Sequence, residues 1–449
     1  MLESRPGGLL SSIRRTVPPE LHEILGVETW RWVDELFHEE IGHLVLAAEE
    51  YHHDREELEK VLSELQAKRK RSDQILDAIR TIDQRDLIGY LAARGVLPKY
   101  GFPVDVVEMK ISYHCSEAKI LELNRDLRIA LSEYAPGSSI IAGGKTWTSR
   151  YLRIMPRRAL PRFRYALCPV CGSYHRVWAD TREPLTECSR CHASLTDAPL
   201  SGEFVIPEFG FLSEYAPPGD PPPSAPERVY STRAFLWGES FHKEESAEFR
   251  SGRGVTRCET ASKARLAVLN TGLRRGFRIC PVCGYTFGPN ESAPRTHNNP
   301  RGQQCPGTFQ PPVALGHEFE TDVLLLTFPH YRNVRPEFWV SLLYAVVEGV
   351  SLVLDIERND LDGCLYPMAG DPYSPAVVLF DDVPGGAGHV RRINNETLLK
   401  EVLETTLRFV STCECGTSCS GCLRNYKNQS WHEILDRLIV KDFLEQVIG

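Results

Sequence analysis

A chain of 449 residues, 42% hydrophobic and 25% charged, has material for two or three domains with their own cores and lacks the bias of a disordered polymer. A net charge of −8 excludes a basic coat over the whole surface, so a polyanion would have to be met by locally concentrated cations. The opening residues carry neither the apolar core nor the small-residue cleavage site of a secretory signal, and no apolar run is expected to reach membrane-spanning length. The expectation is a cytoplasmic protein without a membrane partner.

Residues 1–97 read as a helical docking region. Leu58, Leu62 and Leu65, then Ile75, Ile79 and Ile82, recur at three- and four-residue spacing, the period of one helix face. The basic run at 68–71 interrupts that stripe, which argues against one long coiled coil. A further helix over 87–93 is expected to stop at Gly95, with Pro98 and Pro103 enforcing the boundary.

Residues 98–225 read as β-rich, with a cysteine-rich insertion at 168–191, and the proline-rich stretch 217–226 as a stiff loop or linker. Residues 226–310 carry a second cysteine-rich element. From 311 to 449 the pattern alternates: a buried strand over 321–328, an almost wholly apolar helix over 336–350, another buried strand over 377–380 and a helix over 396–410. The fold class expected is α+β and multidomain: a helical N-terminal region, a β-rich middle with two zinc ribbons, and a C-terminal zinc-binding domain of α/β type.

Fourteen cysteines in a reducing compartment point to metal rather than disulfides, and eleven of them fall into three clusters. Cys168, Cys171, Cys188 and Cys191 form two CxxC turns at ribbon spacing; each turn aims two thiolates at one ion, and two turns complete a tetrahedron. Cys280 and Cys283 repeat the CPVCG wording of 168–172, and His297 with Cys305 would complete a Cys3His set. A surface role for His297 is the alternative, with Cys258 as substitute ligand. Cys413, Cys415, Cys419 and Cys422 lie within ten residues, compact enough to wrap one ion; zinc is expected and an iron–sulfur cluster is the alternative. Up to three Zn2+ ions are therefore expected, in structural sites with no open coordination position.

Two arginine-rich stretches stand against the acidic background. Arg150, Arg153, Arg157, Arg158, Arg162, Arg164 and Arg176 share a window without an acidic residue and alternate with rings that include Tyr165 and Trp178. Guanidinium groups fork onto phosphates and rings stack on unpaired bases, so this stretch is the candidate nucleic-acid surface; a solvated face paired with the acidic N-terminal helices is the alternative. Residues 250–278 form the second patch, with Glu259 as its one acid.

Two lookalikes bear on catalysis. The segment 137–146 mimics a phosphate loop, but the position that needs the first glycine is Ser139 and the following residues read as strand, so a glycine-rich hairpin is expected. Asp355, Glu357, Asp360, Asp362, Asp381 and Asp382 could in principle hold the two metals of a nuclease, although acids beside strands are more often caps. No intrinsic catalytic activity is expected from this chain.

The segments GHEFETDV (316–323) and DDVPGGAGH (381–389), and the cysteine tetrad followed by LRNYKN (423–428) and LDR (435–437), resemble the MrfA-type zinc-binding domain. That domain closes large DEAD/DEAH-box helicases and occurs in DrmB-like subunits of the DISARM antiphage system. Upstream, GVLPKYGFPV (95–104), ALSEYAPGS (130–138) and VIPEFGF (205–211) resemble the region between motor and tail, extending the likeness to roughly 87–449. The resemblance implies zinc at Cys413, Cys415, Cys419 and Cys422, DNA as a partner, and a tail that assists DNA engagement. It also implies a helicase motor carried by a partner subunit or by a missing N-terminal half, in genome defence or repair. A metal-dependent nuclease and a scaffold that binds no DNA are the alternatives.

Overall fold

The computed structural model describes residues 7–448 apart from 20–21, 24, 39–41, 69–72, 84–86, 94–95, 97–104, 156–158, 183, 224–228, 252–253, 289, 330, 369–370 and 384. Arg157, Arg158, most of the basic run at 68–71, and nearly all of 95–104 therefore lie outside the described residues. The chain divides into two compact units, Met1–Val104 with Met155–Arg158, and Asp105–Ile154 with Ala159–Gly449.

The first unit carries helices α1 (Gly7–Thr16), α2 (Arg31–Leu36), α3 (His43–Ala67), α4 (Asp73–Asp83) and α5 (Leu87–Ala93). Leu58, Ile75 and Ile82 are buried, as the three- and four-residue spacing requires when α3 and α4 pack on each other. Arg55 reaches Asp83 across the pair at 3.1 Å, and the Tyr90 hydroxyl donates to the Ala47 carbonyl at 2.7 Å, tying α5 to α3.

The second unit opens with β1 (Val106–Lys110), β2 (Asn124–Asp126), α6 (Leu127–Glu133), β3 (Ser139–Ala142) and β4 (Lys145–Leu152). It continues through β5 (Arg162–Leu167), β6 (Tyr174–Trp178), β7 (Ser201–Val205) and β8 (Phe211–Ser213). Among the described residues a first sheet runs β2-β1-β8-β4-β3, with β1 parallel to β8. The phosphate-loop lookalike is the β3–β4 hairpin: Gly143 and Gly144 take φ +59° and +69° at its two-residue turn, and the segment after Lys145 is strand.

A second sheet contains β9 (Arg233–Leu236), β10 (Glu245–Ser251), β11 (Gly254–Asn270), β16 (Ala314–Thr327), β17 (Leu361–Met368) and β18 (Asp371–Asp381) together with β5, β6 and β7. Between β11 and β16 come two short hairpins, β12 (Arg278–Ile279) with β13 (Thr286–Phe287), and β14 (His297–Asn298) with β15 (Gln304–Cys305). The second sheet crosses the boundaries read at 225/226 and 310/311, because β16 pairs with β7, β11 and β18. Hydrogen-bonded strands share one core, so those boundaries do not separate compact bodies.

The sheet is covered on both faces. Leu324, Leu326, Val377 and Leu379 pack against α7 (Pro336–Leu354), α8 (Glu396–Thr412) and α9 (Arg437–Ile448). Val323, Leu325, Val378 and Phe380 point the other way, into a core shared with Leu127, Leu131 and Tyr134 of the α6 segment and with Met109 and Phe211 of the first sheet. Two-sided burial explains the unbroken apolar run at 323–326. The expectation that no apolar run reaches spanning length is corrected: at 19 residues, Pro336–Leu354 is long and apolar enough to cross a membrane. Fourteen of its residues are buried between sheet and helices, which accounts for the composition as that of a core helix.

Candidate metal centres and nucleic-acid interface

The turns that begin at Cys168, Cys188 and Cys280 are built from one local device. In Cys168–Gly172 the Gly172 N–H donates to the Cys168 carbonyl at 2.9 Å, and the Cys168 N–H donates to Ser173 at 3.0 Å. Cys280–Gly284 repeats this turn, and so does Cys188–His192, where His192 takes the positive φ that glycine takes in the other two. Gly284 is fixed by a close approach as well, since a Cβ there would stand 1.9 Å from the Leu152 carbonyl oxygen. The first knuckle tips the β5–β6 hairpin. The second follows β12, and the register of β14 with β15 sets His297 directly opposite Cys305.

All fourteen cysteines are free thiols, and the ligand atoms of each tetrad lie within 4.8 Å of one another. The Cys168–Cys191 sulfurs are 3.4 Å apart, Cys171–Cys188 3.6 Å, Cys413–Cys419 3.6 Å, Cys415–Cys422 3.6 Å and Cys280–Cys305 3.9 Å. A tetrahedron with Zn–S bonds of about 2.3 Å has edges of about 3.8 Å, so the spacing suits zinc. The ring supplies a second sign of fit: His297 Nε2 is buried without a hydrogen-bond partner, as a ligand nitrogen would be, with its ring held between Tyr285 and Phe309. Cys258, the substitute ligand considered from sequence, instead packs in the helical core.

In the Cys168–Cys191 set and in the tetrad, neighbouring thiols are shifted in opposite directions. Burial pushes Cys168 up, but the Cys171 and Val170 amides and neighbouring sulfurs outweigh it and bring it to about 7. The Cys415 amide leads in drawing Cys413 down to about 7, whereas burial drives Cys171 and Cys422 upward. Four crowded thiols cannot all ionise unaided, and a divalent cation removes that obstacle. Zinc held by these sets supplies folding free energy rather than reactivity.

Two side chains that sequence reasoning did not assign support the sites. His175 Nε2 lies 3.2 Å from Cys188 Sγ, on the strand leaving the first knuckle. Arg437, buried at the start of α9, donates to the Cys415 carbonyl at 2.9 and 2.6 Å and to the Val410 carbonyl at 3.0 Å. It thus pins the tetrad loop to the end of α8.

The motifs behind the family resemblance meet in one place. The Asp381 carboxylate accepts from the amides of Ala387, His389 and Val390, Asp322 accepts from Gly388, and Thr321 donates to the carbonyls of Asp381 and Val383. Asp382 pairs with Arg128 of α6 and with Lys427 beyond the tetrad, joining two of the motifs to α6. Burial pulls the Arg128 pKa down, but Asp382 and Asp126 outweigh it. The carboxylates considered for a nuclease at 381 and 382 are therefore committed to structure. Among the described residues, the groups able to hold a metal are the three Cys/His tetrads.

The arginine stretch behaves differently from its one-dimensional reading. Arg150 pairs with Glu291 at 2.7 Å, Arg162 with Glu203 at 2.5 Å, and Arg176 with Glu318 at 3.1 Å, while Arg164 donates to the Thr181 carbonyl. The Arg153 amide donates to Gly210, and Tyr165 is buried. Trp178, 55% exposed, lies on Phe163 at 4.3 Å, with the Arg176 guanidinium 4.4 Å from the same Phe163 ring. Acids distant in sequence thus neutralise Arg150, Arg162 and Arg176. In the second patch, Arg250 and Arg257 meet Glu248 and Arg265 meets Glu320.

Fold and sites together define a protein with a zinc-tetrad C-terminal domain joined through a shared sheet to two zinc ribbons. Residues 342–423 match the family described as MrfA Zn-binding domain, so the chain carries a domain of that family. Across 494 aligned residues it is 24% identical to the Druantia protein DruE of Escherichia coli (strain UMEA 4076-1), covering 99% of this chain and 26% of that protein. The chain thus spans about a quarter of that relative's length. A crystal structure of the DUF1998 helicase MrfA bound to DNA aligns over 76% of this chain and 33% of that one, at 12% identity and a TM-score of 0.34. A second, bound to DNA and AMPPNP, aligns over 76% and 31%, at 11% identity and a TM-score of 0.26.

Proposed function

We propose that this chain is the zinc-stabilised, DNA-engaging accessory module of a superfamily-two helicase system acting in genome defence or repair in the cytoplasm. The ATP-driven motor is supplied by a partner subunit or by another part of a longer polypeptide. The observation that carries this reading is the match of 342–423 to the MrfA Zn-binding domain, in a chain whose tetrad brings Cys413, Cys415, Cys419 and Cys422 to zinc-binding separation. The hairpin geometry of 137–146 supports placing the motor elsewhere, since a phosphate loop must open onto a helix N-terminus. Exposed Trp178, mounted on Phe163, offers a base-stacking ring, with Arg157 and Arg158 proposed as backbone contacts.

The test is a titration of labelled single- and double-stranded DNA by the zinc-loaded protein over a range of salt. Micromolar or tighter binding that weakens steeply with salt is expected. Absence of binding at moderate salt would leave the scaffold reading, and magnesium-stimulated cleavage would turn the assignment to a nuclease.

A further inference from the structure

Beyond the paired arginines lies a set of cations with no carboxylate among the described residues to neutralise them. β11 ends at Asn270, whose buried amide donates to the Leu131 carbonyl at 2.6 Å and whose oxygen accepts from the Gly272 N–H at 3.0 Å. The chain then makes a left-handed turn in which Gly272, Leu273 and Arg274 take φ +53°, +52° and +67°. It closes when Arg275 donates to Gly272 and Gly276 to Thr271. For Leu273 and Arg274 this backbone is unfavourable, and Leu273 is left 51% exposed. Arg274, Arg275 and Arg278 stand in solvent without an ion pair among the described residues.

Arg233 opens β9 and is paired in register with Leu269, next to the start of that turn. Its guanidinium lies 5.1 Å from the ring of half-buried Trp431, nine residues past the last tetrad cysteine. Partial desolvation, and after it the charge of Arg274, lowers the Arg233 pKa. An arginine stays charged nonetheless, so the start of β9 places one cation, fixed by an indole, beside the turn that carries Arg274. Like charges held together on anchored backbone repel unless an anion enters.

We propose that Arg233 and Arg274, braced by Trp431, form a notch for a phosphodiester group of a DNA strand. Its two walls belong to different zinc elements, because Arg274 lies six residues before Cys280 and Trp431 follows the tetrad. Leu273 offers apolar surface to the adjoining sugar. This assignment rests on the DNA-engaging reading and locates one point of DNA attachment outside the 150–178 stretch.

The test is fluorescence-anisotropy titration of a labelled single-stranded oligonucleotide with the zinc-loaded full chain and with Arg233→Gln, Arg274→Gln and the double variant. Arg250→Gln serves as control, since Arg250 is exposed and already engaged by Glu248. Circular dichroism and zinc content confirm folding, and Arg274 lies on an exposed loop where Gln is tolerated. Affinity is expected to fall about tenfold or more in the double variant, given the strength of charge-assisted hydrogen bonds to phosphate. The salt slope should flatten by roughly 0.7 for each phosphate that the variant no longer neutralises, with the control unchanged. Wild-type affinity and slope in the double variant would overturn the notch alone, whereas no binding by the wild-type chain would overturn the function and the notch together. Competition by a mononucleotide as effective as the oligonucleotide would assign the notch to free nucleotide and overturn its role in holding a polynucleotide.

Discussion

Arg437 performs at one position what a metal site needs from its surroundings. Its guanidinium satisfies the Cys415 carbonyl and the last-turn carbonyl of Val410, so the tetrad loop cannot drift from α8. Replacing it with Met keeps the aliphatic stem but removes these bonds. Zinc affinity of the tetrad should fall about 10- to 100-fold, the usual effect of removing a group that orients a metal ligand. Competition with a chromophoric chelator reads this directly, and unchanged affinity would remove Arg437 from the site. His297 makes a prediction in pH. Burial holds its pKa below the ordinary 6.5, so between those two values the unfolded chain binds more protons than the folded one. Stability is therefore fully present above 6.5 and is lost as pH falls through the lowered value. Zinc on the same nitrogen opposes protonation further, so its release from the Cys280–Cys305 site should begin below that window, and replacing His297 with Cys should shift the release. The ligands themselves were legible because their spacing is local. The arginines were not, because Glu203, Glu291 and Glu318 lie 41 to 142 positions away and no window contains them.

At the scale of elements, spacing announced the helices and the knuckles, while close packing between helices left no mark in the sequence. Gly349 sits in the middle of α7, where glycine weakens a helix. A Cβ at that position would stand 2.0 Å from Thr406 Oγ1 and 3.3 Å from its Cα, so α8 lies directly against the glycine. The neighbouring backbone cannot swing aside like a side-chain tip. Gly349→Ala should therefore destabilise the protein by about 1–3 kcal/mol despite alanine's better helix propensity. A lowered urea midpoint with unchanged slope checks this, and a rise in midpoint would show that α7 and α8 do not touch there. The DDVPGGAGH segment illustrates the same limit. Gly385, Gly386 and Gly388 take positive φ, the backbone that lets this segment turn tightly. That Asp381 would accept from three of the following amides, at the expense of any metal chemistry, became visible only in three dimensions.

Across the whole second unit, the three metal sites are attached to the core in unequal ways. The Cys168–Cys191 site has a small cluster of its own, built with Ala166, Leu195 and Ala198. The tetrad cysteines pack against the large cluster that holds α7, α8, α9 and one face of the sheet. Binding free energy is folding free energy only for the structure that depends on the ion, so chelation should not act evenly. Amides of 168–198 should lose hydrogen-exchange protection together on zinc removal, while β16 and β18 stay protected. Removal from the tetrad should reach further and loosen α8 and α9, whose inward faces meet the cysteine loop. The apolar core shared by the first sheet and one face of the second contains no metal-site sulfur, which is why much of the fold should outlast its metals. Hydrogen exchange with and without chelator distinguishes this from a single cooperative collapse. Uniform loss of protection across the unit would mean that the ribbons are integral to the core, and DNA binding should then disappear in one step with the fold.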